Sequence, residues 1–363
     1  MTTPTLPSHM NGVQLVGHGG LENLRYRQDL PVPQPGPGEV LIRVAAAGVN
    51  NTDINTRIGW YSKSVTGATS EIDSRQSDAA QADAGWAGTP LQLPRIQGCD
   101  CCGQIVALGA GVSAARLGER VLLRSMQEAP SGEPFDLVTL GSEFDGSFAQ
   151  YCCVRASEAF AINSTLSDVE LASFPCAYST AENLLHRAQV AAGERVLITG
   201  ASGGVGSAAV QLAKRRGAYV MAVCAAEKAD ELKRLGADEV IARTEHALAN
   251  LPRDSVDVVV DLVAGGQWPR LLDVLRRGGR YAVSGAIAGP LVELDVRTLY
   301  LKDLTFFGCT YQPKEVFRNL IGYIERGEIR PLVARSYPLA DIARAQEDFM
   351  AKRFTGKLVL ECQ

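Results

Sequence analysis

A cluster of glycines directly after a short β-branched run constrains the fold of this chain more than any other feature. Residues 195–199 read as a strand, four glycines follow within residues 200–206, and an apolar helical pattern then begins. Glycine permits positive φ and a close approach of the backbone to a ligand, while the N–H groups and dipole of a helix N-terminus favour negative charge. The stretch therefore predicts a binding site for the pyrophosphate of a dinucleotide.

The context of this loop favours a dinucleotide site over the alternative, an ordinary tight turn. A second strand is predicted at residues 219–224, which closes the unit of about 30 residues expected of a Rossmann fingerprint. Further strands and helices alternate up to residue 284, as in a parallel α/β sheet. The loop residues expected to bind the cofactor are Ala201, Ser202, Gly203, Gly204, Val205 and Gly206.

Length and charge exclude several classes of protein. The 363 residues are enough for two domains, and the net charge of −4 without a basic run disfavours nucleic acid and anionic membranes as partners. No apolar run has the length of a membrane span, and residues 1–10 do not resemble a signal peptide. The nine cysteines, some of them adjacent, fit buried thiols better than a disulfide framework. We expect a cytoplasmic protein.

The chain resembles the medium-chain dehydrogenase/reductase superfamily over nearly its whole length. The resemblance is carried by A-S-G-G-V-G at residues 201–206 and by the proline-rich opening and strand at residues 31–44. It implies an α/β fold, in which a Rossmann doubly wound parallel sheet accompanies a GroES-like β-rich catalytic domain. The expected domains are residues 1–160 with 305–363 (catalytic, with an insertion at 62–92) and residues 161–304 (nucleotide-binding).

The segment G-V-N-N-T-D-I-N-T-R-I-G-W-Y, residues 48–61, is the first candidate for substrate chemistry. Zinc alcohol dehydrogenases of the superfamily carry a cysteine at its third position, where this chain has Asn50, and the pattern looks like the zinc-free quinone oxidoreductase branch. That resemblance implies that Asn50 donates its amide to a substrate carbonyl and that Asp53 pairs with Arg57. It also implies that the Tyr61 phenol lies near the nicotinamide.

A simpler interpretation of the same segment is a helix cap. Asn50 and Asp53 are residue types that favour the N-terminus of a helix, here expected near Thr52. Capping and ligand contact are compatible, so both stay open. One position departs from the quinone oxidoreductase pattern, since Asn55 stands where that branch often carries an active-site tyrosine.

A second alternative is a catalytic zinc ion with an altered ligand set. Cys99, Asp100 and Cys176 match positions of zinc ligands or their neighbours in alcohol dehydrogenases, and two thiolates with a carboxylate could hold the metal. The family's first cysteine is replaced by an amide, however, and its histidine by a thiol. The structural zinc lobe is also missing, since residues 121–150 contain no cysteine. We expect no zinc.

The cofactor expected from the sequence is NADPH rather than NADH. The second strand ends in V-C-A-A, without the carboxylate that binds the ribose hydroxyls in NAD enzymes, and Lys228 matches a lysine that many quinone oxidoreductases direct at the 2′-phosphate. Thr180 matches a threonine near the nicotinamide ring, with a helix N-cap as an equal alternative. The residues expected beneath the nicotinamide half are Gly285, Ala286 and Ile287.

The insertion at residues 62–92 lengthens the loop after Tyr61 beyond an ordinary connection. It is either a surface insertion or a lid over the substrate, and in the second case we expect Trp86 to help close the cleft.

The function implied by the resemblance is NADPH-dependent hydride transfer to a small electron-poor conjugated carbonyl compound, such as a quinone, enone or enal. Two alternatives stay open. One is a zinc-type alcohol dehydrogenase with altered ligands, and the other is an NADPH-binding protein without catalysis. By analogy with the superfamily we expect a homodimer that pairs through residues 285–310.

Overall fold

The computed structural model describes residues 6–71, 83–86, 88–244 and 246–363. The chain divides into two compact units. The first comprises Met1–Val65, Asp73–Cys176 and Val333–Gln363, and the second comprises Thr66–Ile72 and Ala177–Leu332. Residues 305–332, which we expected in the GroES-like domain, thus lie in the second unit, because the strand Thr305–Gly308 extends its parallel sheet. Residues 161–176, which we expected in the nucleotide-binding domain, lie in the first unit.

The described residues form strands and helices that follow the expected alternation. The strands are β1 His9–Leu15, β2 Leu24–Pro31, β3 Glu39–Val49, β4 Arg95–Ile96, β5 Cys102–Leu108, β6 Arg120–Leu123, β7 Met126–Glu128, β8 Leu137–Thr139, β9 Tyr151–Arg155, β10 Ala159–Ala161, β11 Arg195–Ile198, β12 Tyr219–Cys224, β13 Glu239–Ala242, β14 Val256–Asp261, β15 Leu275–Val283, β16 Thr305–Gly308, β17 Val333–Pro338 and β18 Lys357–Glu361. The α-helices are α1 Asn51–Ile58, α2 Asp168–Leu171, α3 Pro175–Arg187, α4 Gly204–Arg215, α5 Ala229–Leu235, α6 Trp268–Val274, α7 Val296–Leu301, α8 Lys314–Glu325 and α9 Ile342–Met350.

The first unit is built mainly from antiparallel β-structure, in which β17 and β18 pair parallel. Its largest sheet has the order β10-β6-β5-β3-β18-β17, with β9 also paired to β3, and a smaller sheet has the order β2-β1-β4. The long strand β3 lies at the centre because its side chains are almost all buried, including Val40, Leu41 and Ile42. The C-terminal strand β18 pairs antiparallel with the end of β3, with Leu358 opposite Val49. This register brings the last strand of the chain beside the first residues of α1.

The second unit contains the predicted parallel sheet, with strand order β13-β12-β11-β14-β15-β16. Its central strands are β-branched and buried on both faces, as expected for a sheet covered by helices, and Val258, Val259 and Val260 have no exposed surface. The order reverses between β11 and β14, and such a switch point is where open α/β sheets bind ligands. The predicted α/β fold class, a Rossmann sheet with a β-rich partner, is therefore confirmed.

No helix among the described residues combines the length and apolar character needed to cross a bilayer. The cytoplasmic location stays a prediction.

Candidate active site

The glycine loop of the second unit has the geometry that a dinucleotide requires. Gly200 has a φ of +58°, and Gly203 is the N-cap of α4. A Cβ on Gly206 would lie 2.3 Å from the carbonyl oxygen of Gly200, so only glycine allows the helix to start this close to β11. The first-turn N–H groups of α4 have no acceptors within the helix, as in every α-helix. Residues 201–206 thus fit a pyrophosphate.

A buried carboxylate fixes the ends of the strands around this loop. Asp261, at the end of β14, accepts hydrogen bonds from Thr199 Oγ1 at 2.5 Å and from the Tyr281 hydroxyl at 2.6 Å. Leu262 follows Asp261, and a Cβ on Gly285 would lie 2.9 Å from the carbonyl oxygen of Leu262. Gly285–Ile287 therefore begins with a close backbone contact that only glycine allows.

Two cations lie together beyond β12. Burial lowers the pKa of Lys228; the negative charge of Glu227 opposes this shift and the positive charge of Arg243 adds to it, so the Lys228 and Arg243 side chains are electrostatic neighbours. The Arg243 backbone N–H donates to the carbonyl oxygen of Cys224 at 2.6 Å, which places the arginine at the end of the second strand. Sequence reasoning missed Arg243, although its position directly after β13 was an available signal.

Thr180 lies inside α3, five residues after the helix begins at Pro175. The alternative that it is a helix N-cap is therefore wrong. Its hydroxyl is buried and accepts a hydrogen bond from Gln312 Nε2 at 3.4 Å. Its proximity to a nicotinamide ring stays a prediction.

The first unit contains a group of buried polar side chains that we call the polar cluster. Its members are Asn50, Asp53, Cys99, Asp100, Cys176 and Lys357. Asn50 and Asp53 lie at the start of α1, Cys99 and Asp100 just before β5, Cys176 in the first turn of α3, and Lys357 at the start of β18.

Asp100 is the centre of the polar cluster and is completely buried. Its Oδ1 accepts the backbone N–H of Cys176 at 2.5 Å, which supplies an acceptor and a negative charge at the N-terminus of α3. Its Oδ2 accepts from Lys357 Nζ at 2.7 Å and from Asn50 Nδ2 at 2.8 Å. Gly48 makes this possible, because a Cβ there would lie 2.3 Å from Asp100 Oδ2.

Lys357 is the residue that sequence reasoning missed entirely. Its side chain is 2% exposed and donates to Asn50 Oδ1 as well as to Asp100. Burial lowers the pKa of the ammonium, but the charge and hydrogen bond of Asp100, together with Cys176 and Cys99, outweigh burial, so that the pKa is raised. Lys357 therefore stays charged at neutral pH.

The Asn50 amide has a partner at each end. Its oxygen accepts from Lys357, and its nitrogen donates to Asp100 at 2.8 Å. The nitrogen has weaker contacts with the Gly48 carbonyl oxygen at 3.2 Å and Cys99 Sγ at 3.4 Å. One amide hydrogen is therefore held firmly, and the other is shared between poor contacts.

The residues proposed as zinc ligands do not fit a metal in this arrangement. Both carboxylate oxygens of Asp100 already accept hydrogen bonds, one of them from an ammonium. A hydrogen bond with Cys176, together with burial, raises the pKa of the Cys99 thiol. Across the part of the chain that the structure describes, no three His, Cys, Asp or Glu side chains form a group suited to a metal ion.

Asp53 caps α1 but does not pair with Arg57. Its Oδ2 accepts the backbone N–H of Asn50 at 2.8 Å, so the capping interpretation holds for this carboxyl group. The predicted pair with Arg57 is wrong, because the guanidinium donates to Gln346 Oε1 at 2.8 Å and to the Gly19 carbonyl oxygen. Burial raises the pKa of Asp53 to about 7.

Tyr61 lies at the edge of α1 and contacts the insertion. Its hydroxyl donates to Thr52 Oγ1 at 3.1 Å and is also hydrogen-bonded to Asn55, and burial raises its pKa. The Trp86 ring packs on it with centroids 4.8 Å apart. Trp86 thus covers Tyr61, whereas residues 72–82 and 87 of the insertion lie outside the described residues. A lid function stays a prediction.

Comparison with known proteins identifies the superfamily. A model for the alcohol dehydrogenase GroES-like domain matches residues 36–164, and one for zinc-binding dehydrogenases matches residues 204–326. The quinone oxidoreductase of Sus scrofa is 30% identical over 365 residues, covering 97% of each chain. The chain belongs to the medium-chain dehydrogenase/reductase superfamily. It is an oxidoreductase, which argues against the alternative of a binding protein without catalysis.

Solved structures of superfamily members agree with this fold. A candidate alcohol dehydrogenase from Sinorhizobium meliloti 1021 is 44% identical with a TM-score of 0.86, covering 98% of this chain and 97% of that one. The 2-octenoyl-CoA carboxylase reductase CinF, in complex with NADP and 2-octenoyl-CoA, is 25% identical with a TM-score of 0.81, covering 99% of this chain and 88% of that one.

The raised pKa of Asp53 predicts a specific pH dependence of stability. An unfolded aspartate titrates near pH 4, whereas Asp53 titrates near pH 7 in the folded chain. Between these values the folded state binds the additional proton, so this contribution to the free energy of unfolding falls as the pH rises and stays low above pH 7. Compared with Asp53→Asn, the parent should lose up to about 4 kcal/mol across this window.

Urea unfolding of the parent and Asp53→Asn from pH 4 to pH 8 measures this difference. Asp29→Asn is the matched control. Because Asp29 is exposed on β2, this variant should show the same pH dependence of stability as the parent and should differ from Asp53→Asn in the same way. Parallel profiles for the parent and Asp53→Asn would show that Asp53 is ionised throughout.

Proposed function

We propose that the protein is an NADPH-dependent reductase of electron-poor double bonds conjugated to a carbonyl group, as in quinones, enones and enals. The observation that carries the proposal is the Asn50 amide. It stands where zinc alcohol dehydrogenases of the superfamily carry a cysteine, and it is held between the charged groups of Lys357 and Asp100. The relatives support it, because they include quinone oxidoreductases and a reductase solved with NADP and an enoyl thioester.

Asn50 is proposed to stabilise negative charge on the substrate oxygen. One Nδ2 hydrogen of Asn50 has only the Gly48 carbonyl oxygen and Cys99 Sγ as acceptors, both at long distance. A substrate carbonyl oxygen that gains negative charge during the reaction would be a better acceptor for this hydrogen. When bound, NADPH supplies the hydride that creates this charge. Asp53 holds the start of α1, and therefore Asn50, through the backbone N–H of Asn50.

Tyr61 is proposed as the proton donor, with solvent as the alternative source. The phenol carries its proton at neutral pH, and because burial raises its pKa further, it gives that proton only to a strongly basic acceptor, such as the enolate that hydride addition leaves. Thr52 and Asn55 hold the hydroxyl, and Trp86 packs against the ring, so the position of the phenol is fixed by its neighbours.

A substrate panel tests this function directly. Purified protein should oxidise NADPH in the presence of quinones, enones or enals, with slower turnover for simple alcohols and NADP⁺. Zinc should be measured on the same sample. One zinc per chain, with alcohol oxidation that is lost on chelation, would favour the altered-ligand alcohol dehydrogenase instead.

The preference for NADPH is proposed to depend on Lys228 and Arg243. A 2′-phosphate would be attracted by both positive charges. Strand β12, which precedes Lys228, ends without the carboxylate that NAD enzymes use to bind the ribose hydroxyls. The double variant Lys228→Ala/Arg243→Ala should weaken NADPH binding by about 10-fold or more and leave NADH binding within about two-fold, since each pair of charges contributes about 1 kcal/mol near the surface.

Fluorescence titration with each nucleotide measures these affinities. Lys233→Ala is the matched control, because this exposed lysine lies on α5 and should change neither affinity. Equal losses for NADPH and NADH would contradict a contact with the 2′-phosphate.

A homodimer through residues 285–310 is also proposed. Strand β16 is at the edge of the parallel sheet, and the neighbouring segment exposes large apolar side chains, with Leu291 70% and Tyr300 59% exposed. Unpaired edge strands and exposed apolar patches both favour association. Tyr300→Glu should shift the protein towards monomer in sedimentation equilibrium, whereas Leu117→Glu, at an exposed leucine of the first unit, should not. A parent that sediments as a monomer would contradict the proposal.

A further inference from the structure

We propose that Lys357 is a positioning residue for the reaction, whose ammonium fixes the orientation of the Asn50 amide and strengthens the N–H that this amide offers to the substrate oxygen. This inference rests on the proposed function. It assigns a role to a residue some 300 positions away from Asn50 in the sequence, which donates to Asn50 Oδ1 and to Asp100 Oδ2.

The charges at the two ends of the amide select one of its two orientations. Lys357 lies against the amide oxygen, and Asp100 lies against the amide nitrogen at 2.8 Å. A rotation of the amide by 180° would place its NH₂ group against the ammonium and its oxygen against the carboxylate. Because Lys357 and Asp100 are 2% and 0% exposed, water screens this repulsion little. The second N–H of Asn50 therefore keeps one direction.

The same arrangement polarises the amide. The ammonium draws electron density towards the amide oxygen, and this makes the N–H groups at the other end better donors, as in any chain of hydrogen bonds at low dielectric. The effect reaches the substrate only through Asn50. Removal of Lys357 should therefore reduce turnover only while the Asn50 side chain is present.

A double-mutant cycle tests this dependence. Lys357→Met alone would leave Asp100 buried without its cation, so the variant Lys357→Met/Asp100→Asn removes the pair together. We expect its kcat for an enone to fall about 10-fold, with KM and the NADPH dissociation constant within about two-fold, since loss of a complete oxyanion donor costs about 10²-fold or more. Lys357→Arg keeps a cation at this position and should therefore retain part of the kcat that Lys357→Met/Asp100→Asn loses.

In an Asn50→Ala background, loss of Lys357 and Asp100 should change kcat by less than about two-fold. An equal fall with and without the Asn50 side chain would overturn the proposal, because it would show a general structural role. The control Lys214→Met/Asp238→Asn removes another Lys–Asp pair, at 2.6 Å on the second unit, and should leave kcat unchanged. A fall in this control as large as that of the test variant would also count against the proposal.

Thermal unfolding of the same variants gives a readout that does not need turnover. Lys357 and Asn50 interact in the structure, so we expect non-additive effects on Tm. The sum of the Tm decreases of Asn50→Ala and of Lys357→Met/Asp100→Asn should exceed the Tm decrease of the variant that combines them. Additive decreases would overturn the pairing. A parent without reductase activity but with non-additive decreases would instead contradict only the proposed function.

Discussion

The buried ion pair of Lys357 and Asp100 is the interaction on which the rest of the candidate site depends. Each ion alone would be costly to bury, and the pair is tolerated because every charged atom has a hydrogen-bond partner of suitable type. Asp100 accepts from the backbone of α3 and from Asn50, and Lys357 donates to the Asn50 oxygen. The pair therefore fixes Asn50, at the start of α1, and the backbone N–H of Cys176 at one point, and Asn50 takes its orientation from it. That point also depends on β18, whose register beside β3 brings Lys357 to the start of α1.

The nucleotide-binding half could be predicted from the sequence because its signals are local. The glycines of residues 200–206 have a conformational reason in their immediate neighbourhood, and β12 was predicted at its observed bounds. The polar cluster was only half predictable. Asn50, Cys99 and Asp100 lie in recognisable segments, but Lys357 comes beside them only through the pairing of β18 with β3. A pattern read along the chain contains no signal for that contact.

The same limitation explains the error at Arg57. Asp53 and Arg57 are four residues apart, and such a spacing on a helix favours an ion pair. In the structure the carboxyl group turns back to cap α1, while the guanidinium contacts Gln346 and Gly19, which are distant in sequence. Helix geometry makes the pair possible, and tertiary partners decide against it. Residues 305–332 show the corresponding effect in the fold, since pairing of β16 with β15 assigns them to the second unit.

The protonation of Lys357 and Cys99 fits the proposed reduction better than the alternative of alcohol oxidation. An alcohol must lose its hydroxyl proton when it is oxidised, so an alcohol dehydrogenase needs a metal or a base that can take this proton. The pKa of Lys357 is raised by Asp100 and that of Cys99 by Cys176 and burial, so both groups keep their protons at neutral pH. Asp100 already accepts hydrogen bonds at both oxygens and is paired with the Lys357 ammonium. Asp53, whose pKa burial raises to about 7, could accept a proton, but its Oδ2 already holds the backbone N–H of Asn50. The proposed reduction therefore depends on the donors of the cluster, Lys357 and the Asn50 amide, which suit a substrate whose oxygen gains negative charge.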